Sequence, residues 1–571
     1  MDPAPPPPPA VVAQRTWAWV EVWWALGLGF CVAGITALPY LWGQTSAPYG
    51  WHYLGFVYNP DDVNVHLSWI RQAAEGATFF RNEFTSEPHT GRFFSLFMLG
   101  LGRLAALLHI GPYAVWAAAR VVWAVLLVLA LWAVTVPLTQ RPRVRRLAVL
   151  TVVLSSGLGW LSVALGWSLD PVDLEPDRVM PEAITFLSLY LNPLFSSSMA
   201  LLLGAMALGG AALRRLRWDW AVAAGLLGVL LANQHTYDVI PLALTLLAWT
   251  LDLSRRDGWP RARWGVLGVI ALLCLPAVYY QYQLIQNDAL YAAKANTITA
   301  TPSLPTMLVS YGLILPLAAI GGWRMVRRDR WLGRLLVWWA MLQWVCIYLP
   351  TSLFPFQRKM IEGLHIPLAL LAGLGLAWLA RTLPRWLAAR RLPAEAEATS
   401  GPEARRAVVA RARRWVVPLA TVGLLTLVPS NLLFVLSTFD NLSGNNESKA
   451  AVLMPPFSLP DPDLAALDWL AANSADDAVV LCLPYVGNYV PGRIGRTVFV
   501  GHWAETINYV EKLGQYRAFI NPAGDPAEKT AWLRDMGIDY VFVGTYEQIF
   551  ARDQWPMLPA LDLVYPPTSP H

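Results

Sequence analysis

Long apolar runs, broken by short polar and basic loops, fill the chain from residue 17 to residue 436. A helix needs about 20 mostly apolar residues to cross the hydrocarbon of a bilayer. Segments 17–41, 113–138, 147–167, 184–212, 264–280, 305–323, 331–350, 363–382 and 415–436 meet that need. The stretch 218–252 is apolar on both sides of Asn233-Gln234-His235-Thr236-Tyr237-Asp238, so it reads as two short spans joined by a polar turn. Residues 93–109 are apolar but short, with Arg103 inside, and read as a juxtamembrane or re-entrant helix. The pattern predicts an α-helical polytopic membrane protein of about 11 spans plus that juxtamembrane helix.

Beyond residue 436 the pattern changes. Asp463 to Leu470 has helical amphipathic spacing, Ala478 to Leu483 is a short apolar run, Ala527 to Met536 is a second helix, and Tyr540 to Gly544 is a second strand. Alternating helices and apolar strands predict a small C-terminal α/β domain over 437–571. At the other end, residues 1–16 are proline-rich and expected to be disordered. They lack the basic region and cleavage site of a signal peptide, so the first apolar stretch is expected to be retained. The membrane domain is then 17–436, with a first hydrophilic loop at 42–112 and an Arg-rich loop at 384–413.

Charge placement sets the expected sidedness. Arginines cluster at 141–146, 214–217, 255–263, 324–334 and 381–414. The positive-inside bias puts these loops in the cytoplasm. The N-terminus is then cytoplasmic, and loops 42–112, 168–183, 233–238, 281–304, 351–362 and the C-terminal domain are extracytoplasmic. The location expected is the cell membrane, crossed many times. Composition agrees, with 56% hydrophobic and 14% charged residues and a mean hydropathy of +0.41. A soluble domain carries roughly a quarter charged residues. The formal charge of +5 comes largely from loop arginines, so nothing calls for a nucleic-acid partner. The four cysteines have neither disulfide-like nor zinc-like spacing.

The candidate chemistry lies in the outer loops. Asp61 and Asp62 are adjacent carboxylates in the first hydrophilic loop, where charge beside hydrocarbon is costly. Val63, Leu67, Ile70 and Ala74 share a helical face, which predicts an amphipathic helix lying on the membrane with the aspartates at its start. Asp is a favoured N-cap. One aspartate would satisfy that cap and leave the other unexplained, so the pair is a candidate catalytic base. Arg71, on the same helix, is a candidate substrate-binding group.

Glu182 precedes an apolar run that contains Asn192-Pro193, either a kink or a break whose freed backbone lines a cavity. His235, Tyr237 and Asp238 form either a hydrogen-bonded turn or a ligand-facing one. Gln357, Arg358 and Lys359 put cations on the outer side against the usual bias, which suits a phosphate or a lipid head group. Lys294 is a weaker candidate of the same kind. His502, in Gly501-His502-Trp503-Ala504-Glu505-Thr506, either contacts an acceptor or packs in a loop. No cofactor is required. At His235 to Asp238 a divalent metal would fit together with Asp61 or Asp62, but no close His/Asp spacing demands it.

Together these features resemble the GT-C integral-membrane glycosyltransferases, which use polyprenyl-phosphate-linked sugars. The resemblance rests on Asp61-Asp62 with the following helix, Glu182 with Asn192-Pro193, His235 to Asp238, Gln357-Arg358-Lys359, and the C-terminal pattern from Asp468-Trp469-Leu470 through Gly501-His502-Trp503 to Tyr540-Val541-Phe542-Val543-Gly544. The chain has Asp-Asp where many members carry Asp-Glu, and Leu194 where several carry His. The resemblance implies sugar transfer from a lipid phosphate carrier to a glycan, lipid or protein acceptor outside the cytoplasm. An aspartate would act as base, with inversion at the anomeric carbon, and Arg358 and Lys359 would stabilise the leaving phosphate. The competing readings are a lipid or saccharide transporter or flippase and a non-catalytic envelope assembly protein. A transporter would commonly show internal repeats with paired broken helices, and the sequence has none in evidence.

Overall fold

The computed structural model describes residues 9–167, 175–390, 413–447, 454–551, 558–559 and 561–565. Six helices among them are long and apolar enough to cross a membrane: Trp19–Ser46, Pro112–Thr135, Pro193–Arg215, Thr236–Asp257, Arg261–Asn287 and Gln357–Leu387. Three bent pairs qualify as broken spans: Pro142–Leu154 with Gly159–Leu165 (52°), Leu304–Tyr311 with Ile314–Arg327 (74°), and Val416–Leu425 with Pro429–Ser443 (44°). Gly312, at φ 41°, supplies the sharpest of these breaks. Trp218–Gln234 and Trp331–Cys346 have 17 and 16 residues and fall just short by length. Leu96–Leu108, with 13 residues, rises only about 20 Å, too little for a hydrocarbon layer of about 30 Å. The protein is a multi-pass membrane protein.

Several boundaries differ from the sequence reading. The first helix begins at Pro9, so residues 9–16 are helical rather than disordered, while residues 1–8 lie outside the described residues. Proline is well tolerated at a helix start because its missing N–H has no partner to lose. Arg261–Asn287 runs into the loop expected from 281, and His365–Arg390 into the loop expected from 384. Counting apolar residues stops a span at its first polar run, but the backbone ladder needs no apolar side chain. Residues 391–412 of that loop, and Asp170 and Asp173 of the acidic loop, lie outside the described residues.

The chain divides into two compact units. The first comprises Met1–Thr36, Arg120–Tyr279 and Ile298–Val435. There, Ile314–Arg327 packs against His365–Arg390 through glycines. A Cβ on Gly321 would lie 1.9 Å from the Leu371 carbonyl oxygen, and one on Gly375 would lie 2.1 Å from that of Leu317. Small residues allow this backbone approach where no hydrophobic effect drives helices together.

The second unit comprises Ala37–Ala119, Tyr280–Thr297 and Leu436–His571. The domain expected at 437–571 is therefore joined in one unit by the whole of the first loop and by residues 280–297. Its parallel sheet runs Thr497–Val498, Val479–Leu481, Tyr540–Val541, with Val479–Leu481 in the middle. Leu481, Leu483, Phe499, Tyr516 and Phe519 form its core. Trp51–Tyr53 pairs antiparallel with Ser458–Pro460. The first loop is held again at Glu83, whose carbonyl accepts Val498 N–H at 3.0 Å, and at Phe84, whose carbonyl accepts the Thr506 hydroxyl at 2.7 Å.

Gly321→Leu is expected to destabilise the first unit by about 1–3 kcal/mol or more, because the added carbons meet backbone that cannot give way. Gly268→Ala, where a Cβ has nothing within 4 Å, is the matched control and should not lower the melting temperature in detergent. Equal melting of both variants would refute the packing argument.

Candidate active site

The helix Pro60–Ala74 starts with Asn59 in the N-cap position at φ 42° and Pro60 at its first residue. This corrects the expectation of an aspartate cap. Both aspartates lie inside the first turn, where free N–H groups and the helix dipole favour carboxylates. Asn59 makes no cap hydrogen bond with its side chain; its Nδ2 instead donates to Asp62 Oδ2 at 3.0 Å. The helix also does not lie on a lipid surface by one face. Pro60, Asp61, Val63 to Val65, Leu67 to Ile70, Gln72 and Ala73 are all buried in the second unit. Gly102 lets a neighbouring helix close on Ile70 and Ala73, and Gly492 packs beside Asn64.

Adjacent residues on a helix point about 100° apart, and here that separates two environments. The Asp61 side chain is 3% exposed and that of Asp62 is 54% exposed. Asp61 Oδ1 is buried with no hydrogen-bond partner among the described residues. Asp62 Oδ1 lies 3.2 Å from His502 Nε2, which is also 3.9 Å from Asp61 Oδ2. His502 Nδ1 accepts the N–H groups of Ala504 at 3.1 Å and Glu505 at 3.2 Å. The carboxylates favour an imidazolium and these N–H groups favour the neutral ring. In both forms Nε2 carries a proton and donates to Asp62.

Burial, and then the charge of Asp62, raises Asp61 above the usual carboxylate range. For half-exposed Asp62, the desolvation by surrounding protein is outweighed by the hydrogen bond and charge of His502, helped by Asn59, and the group is held below that range. One turn on, burial pushes His66 down to about 4, and its ring stacks on Trp116 at 5.1 Å.

Three residues from His502, buried Glu505 pairs with the Lys294 ammonium. Despite its burial, the charges of Lys294 and His502 keep the Glu505 carboxyl below its ordinary value. Asn82 Nδ2 donates to the Glu505 carbonyl at 2.8 Å. Lys294 is thus committed to an internal partner. So is Arg71: it pairs with Glu83 at 2.5 Å and with Glu75, and donates to the Pro491 carbonyl at 3.1 Å. Both basic groups serve the packing of this unit.

The other sequence candidates fall in the first unit. Three short 3-10 turns, Pro181–Ala183, Thr236–Asp238 and Gln357–Ile361, pack together there. They bring Glu182, His235, Tyr237, Asp238, Gln357, Arg358 and Lys359 to one place. His235 Nδ1 is 3.2 Å from Asp238 Oδ2, and its Nε2 is 3.2 Å from Glu362 Oε2. The Lys359 ammonium sits 5.2 Å from the centre of the Tyr237 ring, which packs on Phe356 at 4.6 Å. Arg358 Nε is buried without a hydrogen-bond partner among the described residues. The Gln357 amide faces the carbonyls of Ile347 at 2.7 Å and Leu349 at 3.1 Å. Asn192 breaks the span as foreseen and caps the following helix at Leu194 N–H, 2.9 Å away. The Leu194 carbonyl accepts from Gln234 at 2.9 Å.

Sequence reasoning missed Glu362 and Glu505. The available signals were an acid three residues beyond Lys359 at the start of an apolar span, and an acid in the loop already chosen for His502.

No family model matches this chain, and no curated protein matches it. Solved structures do. The Archaeoglobus fulgidus oligosaccharyltransferase tethered with an acceptor peptide is 14% identical, with 94% of this chain and 71% of that one covered, at a TM-score of 0.50. The oligosaccharyltransferase AglB of the same organism, in complex with an inhibitory peptide and a dolichol-phosphate, is 12% identical over 94% and 72%, at 0.50. ArnT from Cupriavidus metallidurans bound to undecaprenyl phosphate is 15% identical over 92% and 90%, at 0.48. At such identities the likeness is one of fold. The chain shares the fold of the Archaeoglobus fulgidus oligosaccharyltransferase.

Proposed function

We propose that the protein is a membrane glycosyltransferase that moves a sugar from a polyprenyl-phosphate carrier to a hydroxyl of an extracytoplasmic glycan, lipid or protein. The observation that carries this reading is Asp61: a buried carboxylate with a partnerless oxygen, held beside a charged Asp62. Its support is the fold, shared with an oligosaccharyltransferase captured with dolichol-phosphate.

In the reaction, the acceptor hydroxyl passes its proton to Asp61 as its oxygen bonds the anomeric carbon. The carbon–phosphate oxygen bond breaks, its electron pair leaves on the phosphate, and the anomeric centre inverts. A carboxylate with raised proton affinity is a stronger base than an ordinary aspartate. Asp62, fixed by His502 and Asn59, keeps its charge and so favours the proton on Asp61. Arg358 and Lys359, cations of the first unit, are suited to hold a phosphate. The arginine clusters support a cytoplasmic N-terminus and an outer position for the second unit.

Asp61→Asn is expected to lower transfer about 10²–10⁴-fold, measured with a lipid-linked sugar and a hydroxyl acceptor. Full activity in both Asp61→Ala and Asp62→Ala would refute the mechanism. Below its pKa Asp61 already holds a proton and cannot accept another, so the rate falls as pH drops through that value. The acid limb should lie above the ordinary aspartate value of about 3.9. Asp62→Asn removes the repelling charge and should move the limb to lower pH; a limb that does not move would remove Asp61 from the role. Arg358→Ala should weaken inhibition by free polyprenyl phosphate by about tenfold or more, and unchanged inhibition would count against the phosphate role.

A further inference from the structure

We propose that His235, Asp238 and Glu362 bind a divalent cation of the Zn²⁺ or Mn²⁺ kind. The three lie in the first unit, and one donor atom from each falls within 4.8 Å of the others. Asp238 and Glu362 are both 0% exposed. Both oxygens of Asp238, both of Glu362, and His235 Nδ1 are buried without a hydrogen-bond partner among the described residues. The two 3.2 Å contacts of the ring therefore bring the atoms close without hydrogen-bond direction. Ser198, beside Glu362, directs its hydroxyl to the Leu194 carbonyl at 2.9 Å.

Buried polar atoms are almost always hydrogen-bonded, and four carboxylate oxygens that lack a hydrogen bond among the described residues, two of them with the His235 ring beside them, call for an explanation. Two carboxylates at the ends of apolar spans also carry charge that hydrocarbon does not tolerate unpaired. Glu182 adds a third acid close enough for its charge to reach Glu362. A His235 imidazolium would balance only one of these charges. A divalent ion balances two and leaves the ring neutral, as a ligand must be. One imidazole and two carboxylates form a mixed nitrogen and oxygen set, which suits Zn²⁺ or Mn²⁺ better than soft or purely oxygen-seeking ions. An ion about 2.0–2.2 Å from each ligand requires only small side-chain shifts from this spacing.

Such an ion would pin the turn Thr236–Asp238 to Glu362, directly after the turn that carries Arg358 and Lys359. The sequence left a metal open for this turn with Asp61 or Asp62; here the third ligand is Glu362 and neither of those aspartates takes part. The site does not depend on the transferase reading, and its test uses no sugar transfer.

Untagged full-length protein in detergent is stripped with a chelator and reloaded with zinc sulfate or manganese chloride. Bound metal is then counted by mass spectrometry. One equivalent per chain is expected in the wild type and in Asp61→Asn. Asp238→Asn and Glu362→Gln should each weaken binding at least about tenfold, as even lesser changes around metal sites do. X-ray absorption of the loaded wild type should show one imidazole nitrogen among oxygen ligands, a readout that stands even if a variant fails to fold. Three results would overturn the site: no stoichiometric binding of either ion, wild-type affinity in both acid variants, or coordination without imidazole.

Discussion

A hydrogen bond between His502 and Asp62 joins residues 440 positions apart, and the chemistry of the second unit depends on it. The Pro60–Ala74 helix fixes where the two aspartates point, but a helix alone leaves both carboxylates in water. The loop after Phe499 supplies the difference. It is bound to the first loop through Phe84 and Thr85, and its own N–H groups orient the His502 ring. The ring then reaches Asp62 more closely than Asp61. Without that loop, Asp62 would keep its Asn59 contact but lose the imidazole that holds it charged.

The first unit meets the same constraint at the ends of its spans. A 3-10 turn closes with fewer residues than an α turn and is used in short pieces. Three such turns let the chain reverse or enter a span while keeping polar side chains on one side. Behind them, glycine contacts such as Gly321 on the Leu371 carbonyl bring helix backbones together. The polar cluster is therefore carried on packed helices, with Asp238 and Glu362 buried in it.

Much of this was legible in the sequence, for identifiable reasons. Apolar run length located the spans, since a bilayer imposes nearly one length on every helix. The break at Asn192-Pro193 was legible because proline removes a ladder bond and asparagine caps well. Helix ends at Asn287 and Arg390 were not, because polar residues extend a helix without extending its apolar pattern. Periodicity also showed which face of Pro60–Ala74 is apolar, but not that protein rather than lipid covers it. Arg71 looked like a substrate-binding group and Lys294 like a phosphate ligand because their partners, Glu83 and Glu505, are fixed by tertiary contacts and not by spacing. Glu362 was missed for the same reason, as its significance lies in its distance to His235.

The doubled aspartate can now be explained without an N-cap. Asn59, in the left-handed conformation, takes the cap position, so both carboxylates are left in the first turn. A single aspartate there would face one environment and have one proton affinity. Two adjacent ones, turned about 100° apart, face different neighbours, and the charge on one raises the proton affinity of the other. The half-exposed member is held charged by His502 and Asn59, and its charge raises the buried member. The pair thus makes a stronger base from a side chain that is ordinarily a weak one. A longer second acid would have to be held by the same ring at a different reach, so the short Asp-Asp pair and the placement of His502 constrain each other.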